Sequence, residues 1–158
     1  AERQSVEARV RALSDAHDLL PERHWGTVSA GEMIERALHA FDKMKPGRIS
    51  LAGPDAEVPA SRALLAAMAL HELGTNAVKY GALSGDAGTV AVEWDMVNES
   101  GRDRLRLRWS EQGGPPVAPP ARTGFGTRML ERALRGQGGS AAIEFRPEGV
   151  CCTLELPA

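Results

Sequence analysis

The sequence contains few cysteines, few aromatic residues and little net charge. Of its 158 residues two are cysteines and 4% are aromatic, and the formal net charge is −2. Cys151 and Cys152 are adjacent and would point to opposite faces of a strand, which disfavours a disulfide between them. No cysteine spacing typical of a metal site is present. These features favour a reducing, cytoplasmic environment.

The same shortages exclude several functions. A slightly acidic chain with few aromatic residues is not expected to bind nucleic acid. The longest apolar run, residues 63–70, has eight residues, and there is no secretory signal pattern, so we expect no membrane contact by this segment. The length fits about one domain. Because the chain starts at Ala1 without Met, we expect it to be part of a longer protein.

A run of strong helix formers leads into a polar motif. Residues 63–70 contain only Ala, Leu and Met, and residues 71–80 read His-Glu-Leu-Gly-Thr-Asn-Ala-Val-Lys-Tyr. This composition predicts a helix over residues 59–80, with proline tolerated in the first turn. At about 3.6 residues per turn, Glu72, Asn76 and Lys79 form one row that continues an apolar face. The row is therefore predicted to point into the interior.

A carboxylate, an amide and an ammonium in one row allow two interpretations. In the first, Glu72 and Lys79 neutralise each other and the row is structural. In the second, Glu72 and Asn76 offer oxygen ligands to Mg²⁺, which also binds phosphate oxygens, and Lys79 contacts a phosphate. The second interpretation predicts a polyphosphate–metal site.

The rest of the chain divides into short elements. Ser29 and Glu32 form a capping box for a helix that reaches about Met44. Strands are predicted where apolar residues alternate with polar ones or lie between turn residues, over residues 48–52, 89–97, 104–109, 141–145 and 150–156. Most strands follow the central helix as antiparallel neighbours, with helices on one side. This order predicts an α+β fold, a two-layer α/β sandwich with a mixed, mostly antiparallel sheet.

Glu111 comes just after the strand predicted over residues 104–109, and two glycines, Gly113 and Gly114, follow it closely. A carboxylate at a strand end can accept hydrogen bonds from an exocyclic amine, and glycines let a flat ring approach the backbone. An ordinary strand-ending turn is the alternative.

Gly124, Gly126 and Thr127 begin another predicted helix, where free N–H groups favour an anion. Residues 112–123 contain four prolines and are predicted to form a long loop. The third glycine of a dinucleotide fingerprint and the P-loop motif are both missing.

Residues 1–20 are predicted to form a helix with an apolar seam. We expect it to be the end of a longer coiled or bundled helix, or else an amphipathic helix that packs on its own domain. The histidine in the seam is expected to be packed and hydrogen-bonded rather than reactive. The seam consists of Val6, Val10, Leu13, His17 and Leu20.

In this order the three motifs resemble the nucleotide-binding domain shared by gyrase, the heat-shock ATPase chaperones, histidine kinases and mismatch-repair ATPases. More narrowly, the sequence resembles the HWE family of sensor histidine kinases. That family carries a histidine in the first motif, here His71, and a Trp-x-Glu in the second, here Trp109 and Glu111. The similarity runs from about residue 16 to the closing strands, and the first motif is the most specific.

The resemblance implies the Bergerat-type ATP-binding fold and a role for each residue of the first motif. Asn76 would bind a Mg²⁺ that bridges the phosphates of ATP, and Glu72 would be the acidic member of the site. Lys79 would approach a phosphate, and Tyr80 the sugar or the ring. His71 lies away from the Glu72–Asn76 row on a helical wheel and is interpreted as a supporting residue.

The other two motifs would complete the nucleotide site. Glu111 would hold the adenine amino group, with the base flanked by glycines, and residues 115–123 would form the nucleotide lid. The glycines flanking the base would be Gly113 and Gly114, and the residues closing on the phosphates would be Gly124, Gly126 and Thr127.

The phosphoacceptor segment of the family is missing, since neither His17 nor His24 stands in a His-Arg-x-x-Asn type sequence. The resemblance therefore implies a tail of the dimerisation and phosphoacceptor helix over residues 1–20 and a catalytic domain over residues 21–158. This domain would transfer the γ-phosphoryl group of Mg·ATP to a histidine outside the segment. Its partners would be the phosphoacceptor helix domain and a response regulator, with a homodimer formed through the N-terminal helix. The alternatives are a serine kinase of the anti-sigma type and a non-catalytic dimerising scaffold with a decayed nucleotide site.

Overall fold

The computed structural model describes residue 9, residues 26–116 and residues 125–158, and of residues 125–127 it describes the backbone alone. The predicted N-terminal seam, His24 and Gly124 lie outside these residues. The described elements, in chain order, are β1 (Thr27–Ser29), α1 (Ala30–Met44), β2 (Ile49–Ala52), β3 (Glu57–Pro59), α2 (Ala60–Lys79), β4 (Thr89–Glu99), β5 (Arg102–Gln112), α3 (Phe125–Gly136), β6 (Ser140–Arg146) and β7 (Gly149–Pro157).

The main sheet has five strands in the order β2-β4-β5-β7-β6. β2 runs parallel to β4, and the other neighbouring strands are antiparallel. The buried side chains of the strands lie on one face, where they join the helices in a single core. The predicted mixed sandwich is therefore confirmed. β1 and β3 form a small antiparallel sheet that the sequence analysis did not predict.

The helix α1 begins where the capping box predicted, since the Ser29 hydroxyl accepts a hydrogen bond from the Glu32 backbone N–H at 3.3 Å. Its neighbour α2 packs closely on it because small residues line the contact. A Cβ added at Gly74 would lie 2.5 Å from the ring of Phe41 on α1, so only glycine fits at this point. This close approach fixes the rotation of α2 about its axis.

The prediction that the polar row of α2 points into the interior is wrong. Asn76 and Lys79 are exposed, and Glu72 is half-buried. The inward face of α2 is formed instead by small and branched apolar residues, including Ala77 and Leu73. The row lies beside the gap between α2 and α3, so its polar ends remain accessible to solvent.

The sheet turns tightly between β4 and β5. Ser100 and Gly101 have φ values of 52° and 79°, as expected for a two-residue hairpin loop that follows the twist of the strands. On the outer face of the sheet Arg106 donates a hydrogen bond from Nε to Oε1 of Glu155 at 2.8 Å, so oppositely charged side chains pair on this face.

The two cysteines behave as their adjacent positions predict. Both are free thiols, Cys152 in the core and Cys151 half-buried on the opposite face of β7. Among the described residues, no helix has both the length and the apolar character needed to cross a bilayer.

Candidate functional site

The C-terminal half of α2 presents the polar row to an open side of the molecule. Asn76 and Lys79 are exposed, and Tyr80, directly after the helix, is 72% exposed. Hydrogen bonds close the helix at this end, because the carbonyl of Asn76 accepts from the N–H groups of Tyr80 at 2.8 Å and Gly81 at 3.2 Å. The helix therefore holds an amide, an ammonium and a phenol side by side at the surface.

Glu72 has a partner that sequence reasoning missed. The Nε of Arg9, 63 positions earlier in the chain, donates a hydrogen bond to Oε1 of Glu72 at 2.5 Å. The carboxylate side chain is 16% exposed and the arginine side chain 36% exposed. Glu72 is thus neutralised by a residue of the N-terminal segment, and not by Lys79 as the first interpretation of the row proposed. A contact across such a sequence distance has no local signal.

A small pocket lies between α2, α3 and the sheet. Three polar side chains line it, those of Glu72, Asn76 and Glu131. The other lining residues are apolar: Ala69, Leu73, Leu130, Leu134, Ala141, Ile143, Cys152 and Leu154. A mostly apolar pocket with a few polar groups suits a ligand with one charged and one less polar part.

Glu111 lies apart from this pocket, under the loop that follows α2. It is the buried charged residue of the described core, 4% exposed. Its Oε1 accepts a hydrogen bond from the Ala82 backbone N–H at 2.9 Å, and its Oε2 accepts from the indole N–H of Trp109 at 2.9 Å. Burial raises the pKa of the Glu111 carboxyl, while the Ala82 and Trp109 donors favour the charged form and act in the opposite direction.

The acceptor capacity of Glu111 is not exhausted by these two bonds. An ionised carboxylate has about four lone-pair positions, of which two are occupied here. A ligand amine could therefore still be bound, but it would have to reach a residue that is only 4% exposed. The carboxylate is more enclosed than its position near a strand end suggests.

The loop of residues 81–88 is fastened to the sheet by Arg48, a residue that sequence reasoning also missed. Its guanidinium donates to the carbonyls of Gly88 at 2.6 Å, Gly85 at 2.7 Å and Ala82 at 2.8 Å. The same Ala82 donates its N–H to Glu111. Arg48 therefore fixes the loop that positions one of the two donors of Glu111.

Three glycines make this arrangement sterically feasible. A Cβ at Gly81 would lie 2.1 Å from Oε1 of Glu111, and a Cβ at Gly114 would lie 2.7 Å from the Cα of Ala82. Gly113 has a φ of 76°, in the left-handed region that favours glycine. These residues allow the loop and the end of β5 to pack backbone against backbone.

The remaining candidate residues are only partly described. Gly126 and Thr127 lie in the first turn of α3, where N–H groups lack helical partners, while Gly124 lies outside the described residues. His71 packs its ring on Phe41 of α1, with ring centroids 5.3 Å apart. This contact is on the side of α2 away from the row, as the wheel predicted.

Comparison with known proteins identifies the family. Residues 1–55 match the family model described as HWE histidine kinase. A blue-light-activated histidine kinase of Brucella anthropi is 39% identical over 150 residues, which cover 94% of this chain and 30% of the relative. The chain belongs to the HWE histidine kinase family. It spans about a third of the length of this curated relative.

Solved structures support the same fold for this HWE histidine kinase segment. The histidine kinase domain of the Erythrobacter litoralis EL346 blue-light activated histidine kinase superposes with a TM-score of 0.74 at 20% identity, covering 99% of this chain and 80% of that one. The catalytic domain of the histidine kinase ThkA superposes with a TM-score of 0.61 at 20% identity, covering 83% of this chain and 95% of that one. At this identity the likeness concerns the fold.

The donor set fits a magnesium ion that is shared with a ligand. Among the described residues no group of three or more His, Cys, Asp or Glu side chains could enclose a metal. The row of α2 nevertheless offers the oxygens of Glu72 and Asn76, and Mg²⁺ is commonly held by one or two protein oxygens together with phosphates and water. The residues are therefore suited to a metal–nucleotide complex rather than to a free cation.

Proposed function

We propose that residues 21–158 are the ATP-binding catalytic domain of a sensor histidine kinase and that residues 1–20 are the tail of its dimerisation and phosphoacceptor helix. One observation carries the proposal. The exposed row of α2 leads through Tyr80 into the loop of residues 81–88, whose Ala82 N–H binds Glu111, so that one short segment connects the groups suited to phosphates with the carboxylate suited to a base. The family membership of the chain supports the same function.

At the phosphate end, Asn76 and Glu72 would supply oxygen ligands to Mg²⁺, and the ammonium of Lys79 would neutralise phosphate charge. Bound Mg·ATP supplies the phosphoryl group that is transferred. The protein would contribute position and charge neutralisation, which is how proteins accelerate phosphoryl transfer generally. The first turn of α3, with Gly126 and Thr127, would offer N–H groups to the same phosphates.

At the base end, Glu111 would accept a hydrogen bond from the adenine amino group. Gly113 and Gly114 would flank the ring, and Tyr80, which is largely exposed, would be available to the sugar or the ring. Residues 115–123, together with Gly124, would close over the nucleotide.

The acceptor histidine would lie outside this segment, on a phosphoacceptor helix domain, and a response regulator would receive the phosphoryl group in turn. We further propose a cytoplasmic location and a homodimer formed through the N-terminal helix. Acid lability of the phosphorylated product, measured with the longer protein, distinguishes phosphohistidine from the phosphoserine of an anti-sigma type kinase.

Replacement of Asn76 by alanine tests the nucleotide site. We expect the affinity for ATP in the presence of Mg²⁺ to fall by about tenfold or more, because a metal ligand is lost. With EDTA in place of Mg²⁺ the variant and the parent protein should bind ATP equally weakly. Isothermal titration calorimetry measures both conditions.

Asn98→Ala is the matched control, because Asn98 lies at the exposed end of the β4–β5 hairpin, where its side chain bonds Asp103 at 3.0 Å. It should bind Mg·ATP as the parent does. A parent protein that gives no heat of binding with Mg·ATP at millimolar concentration would contradict the proposed function, as would an Asn76→Ala variant of unchanged affinity.

A further inference from the structure

Trp109 is the largest of the fully buried side chains in the core. It stands on the inner face of β5, two residues before Glu111 and opposite Val92 of β4 and Cys152 of β7, which are both buried. Its indole N–H donates to Oε2 of Glu111, 2.9 Å away, and close packing on both sides restrains the ring in this orientation. The core thus fixes a donor against a side chain of the candidate site.

The two partners of Glu111 share one property: neither can accept a hydrogen bond. An indole N–H and a backbone N–H are donors only, and each occupies a different carboxylate oxygen. Both bonds favour the charged carboxylate, which accepts hydrogen bonds and donates none. Arg48 binds the carbonyl of Ala82 and not the carboxylate itself.

We propose that Trp109 is a positioning residue that holds Glu111 as a fixed, acceptor-only group and thereby makes the site select purines with an amino group at position 6 over purines with an oxo group there. This inference rests on the proposed function, because it requires a nucleotide base at Glu111. An amino group donates to the carboxylate. An oxo group would place one acceptor against another, and a buried group left without its partner is costly.

Loss of the indole N–H should weaken this selection in two ways. Oε2 would lose the donor that fixes its position, so that the carboxylate could turn away from an oxo group. Without this donor the Glu111 carboxylate would also be protonated more easily, and a carboxylic acid can donate its O–H to an oxo group. The preference for the amino purine over the oxo purine should therefore fall by a larger factor than the affinity for ATP.

The test compares Trp109→Phe with the parent protein in binding ATP and inosine triphosphate, which carries an oxo group at position 6. We expect the parent to prefer ATP by about tenfold or more, and the variant to show a severalfold smaller ratio. If Trp109 served only to pack the core, the substitution would weaken the binding of both nucleotides by the same factor. An unchanged ratio in Trp109→Phe would therefore overturn the inference while the proposed function stands.

Trp94→Phe is the matched control. Its indole N–H donates to the Pro54 carbonyl at 2.9 Å, outside the candidate site, so that one indole hydrogen bond is lost in each variant. The nucleotide ratio of Trp94→Phe should equal that of the parent. A parent protein that binds neither nucleotide would contradict the proposed function, and the inference with it.

A second measurement covers the case in which Trp109→Phe does not fold. The chain has three tryptophans, and their indole N–H signals in an NMR spectrum of the parent can be assigned with Trp94→Phe and Trp25→Phe. Saturating Mg·ATP should shift the Trp109 signal and leave the Trp94 signal in place. If calorimetry shows that ATP is bound and the Trp109 signal does not move, the inference is wrong.

Discussion

Replacement of Gly81 by alanine is expected to damage both stability and nucleotide binding, because it displaces Glu111. An added Cβ would lie 2.1 Å from Oε1, against 3.4 Å or more for an ordinary contact. The backbone on the other side is also close, since the Cα of Ala77 would be 3.1 Å from the same Cβ. The carboxylate oxygen must therefore move by about 1 Å, which lengthens its 2.9 Å bond from the Ala82 N–H beyond the usual range.

The loss of stability follows from two contributions. A buried carboxylate deprived of one donor costs about 1–3 kcal/mol, and overpacking of this kind costs about 1–3 kcal/mol. Alanine at position 81 also restricts the unfolded chain, which returns about 0.4–1 kcal/mol. The net loss is about 1–6 kcal/mol with a midpoint of about 3 kcal/mol, which lowers Tm by roughly 6–12 °C for a chain of this size.

Urea unfolding and thermal unfolding measure this loss, and ATP calorimetry measures the effect on binding. Gly85→Ala is the control, because Gly85 lies in the same loop and a Cβ there meets nothing within 4 Å. The control should be as stable as the parent or slightly more stable. If Gly81→Ala unfolds at the same urea concentration as Gly85→Ala, the carboxylate is not held as the structure shows, and the reasoning on Glu111 is refuted.

Two further predictions concern other sites. Arg9→Gln removes the cation from Glu72 and should raise the affinity for Mg·ATP about two- to fivefold, the size expected of one solvent-accessible ion pair. The control Arg36→Gln, on the exposed side of α1, should leave this affinity unchanged. Equal affinities of the two variants would show that the Arg9–Glu72 pair does not oppose metal binding. Burial raises the pKa of the Cys152 thiol to about 12 from 9.0. Between these two values the native state keeps the thiol proton, whereas the unfolded chain loses it. The contribution of Cys152 to the free energy of unfolding is therefore complete below pH 9 and decreases by about 1.4 kcal/mol per pH unit as the pH rises toward 12. Urea unfolding at several alkaline pH values should show a smaller slope for Cys152→Ala than for Cys151→Ala, and identical slopes would contradict the assignment.

Local signals in the sequence predicted most of the fold. The helix predicted over residues 59–80 is observed at Ala60–Lys79, because its run of helix formers has no interior breaker. The cap at Ser29 depends on chemistry within three or four residues, and it is found where predicted. The order of the strands along the chain was enough to predict a sandwich.

Features that depend on distant parts of the chain could not be predicted in this way. β1 and β3 have three residues each, too few for a periodic pattern, and they exist because they pair with each other. Arg9 reaches Glu72, and Arg48 reaches a loop that lies 34–40 residues further on. A helical wheel shows which residues share a face but not what that face meets, which is why the row of α2 was wrongly assigned to the interior.

The two carboxylates of the candidate site differ in the kind of partner they have, and this difference suits their proposed roles. Glu72 is bound by a cation, which neutralises it and competes directly with any second cation such as Mg²⁺. Glu111 is bound by two neutral N–H donors, which fix its position and leave its negative charge in place. A ligand amine can therefore be recognised at Glu111 without displacing either N–H donor, whereas a metal at Glu72 must first replace Arg9. Binding of the base and binding of the metal should accordingly respond to different substitutions, the first to Trp109→Phe and the second to Arg9→Gln.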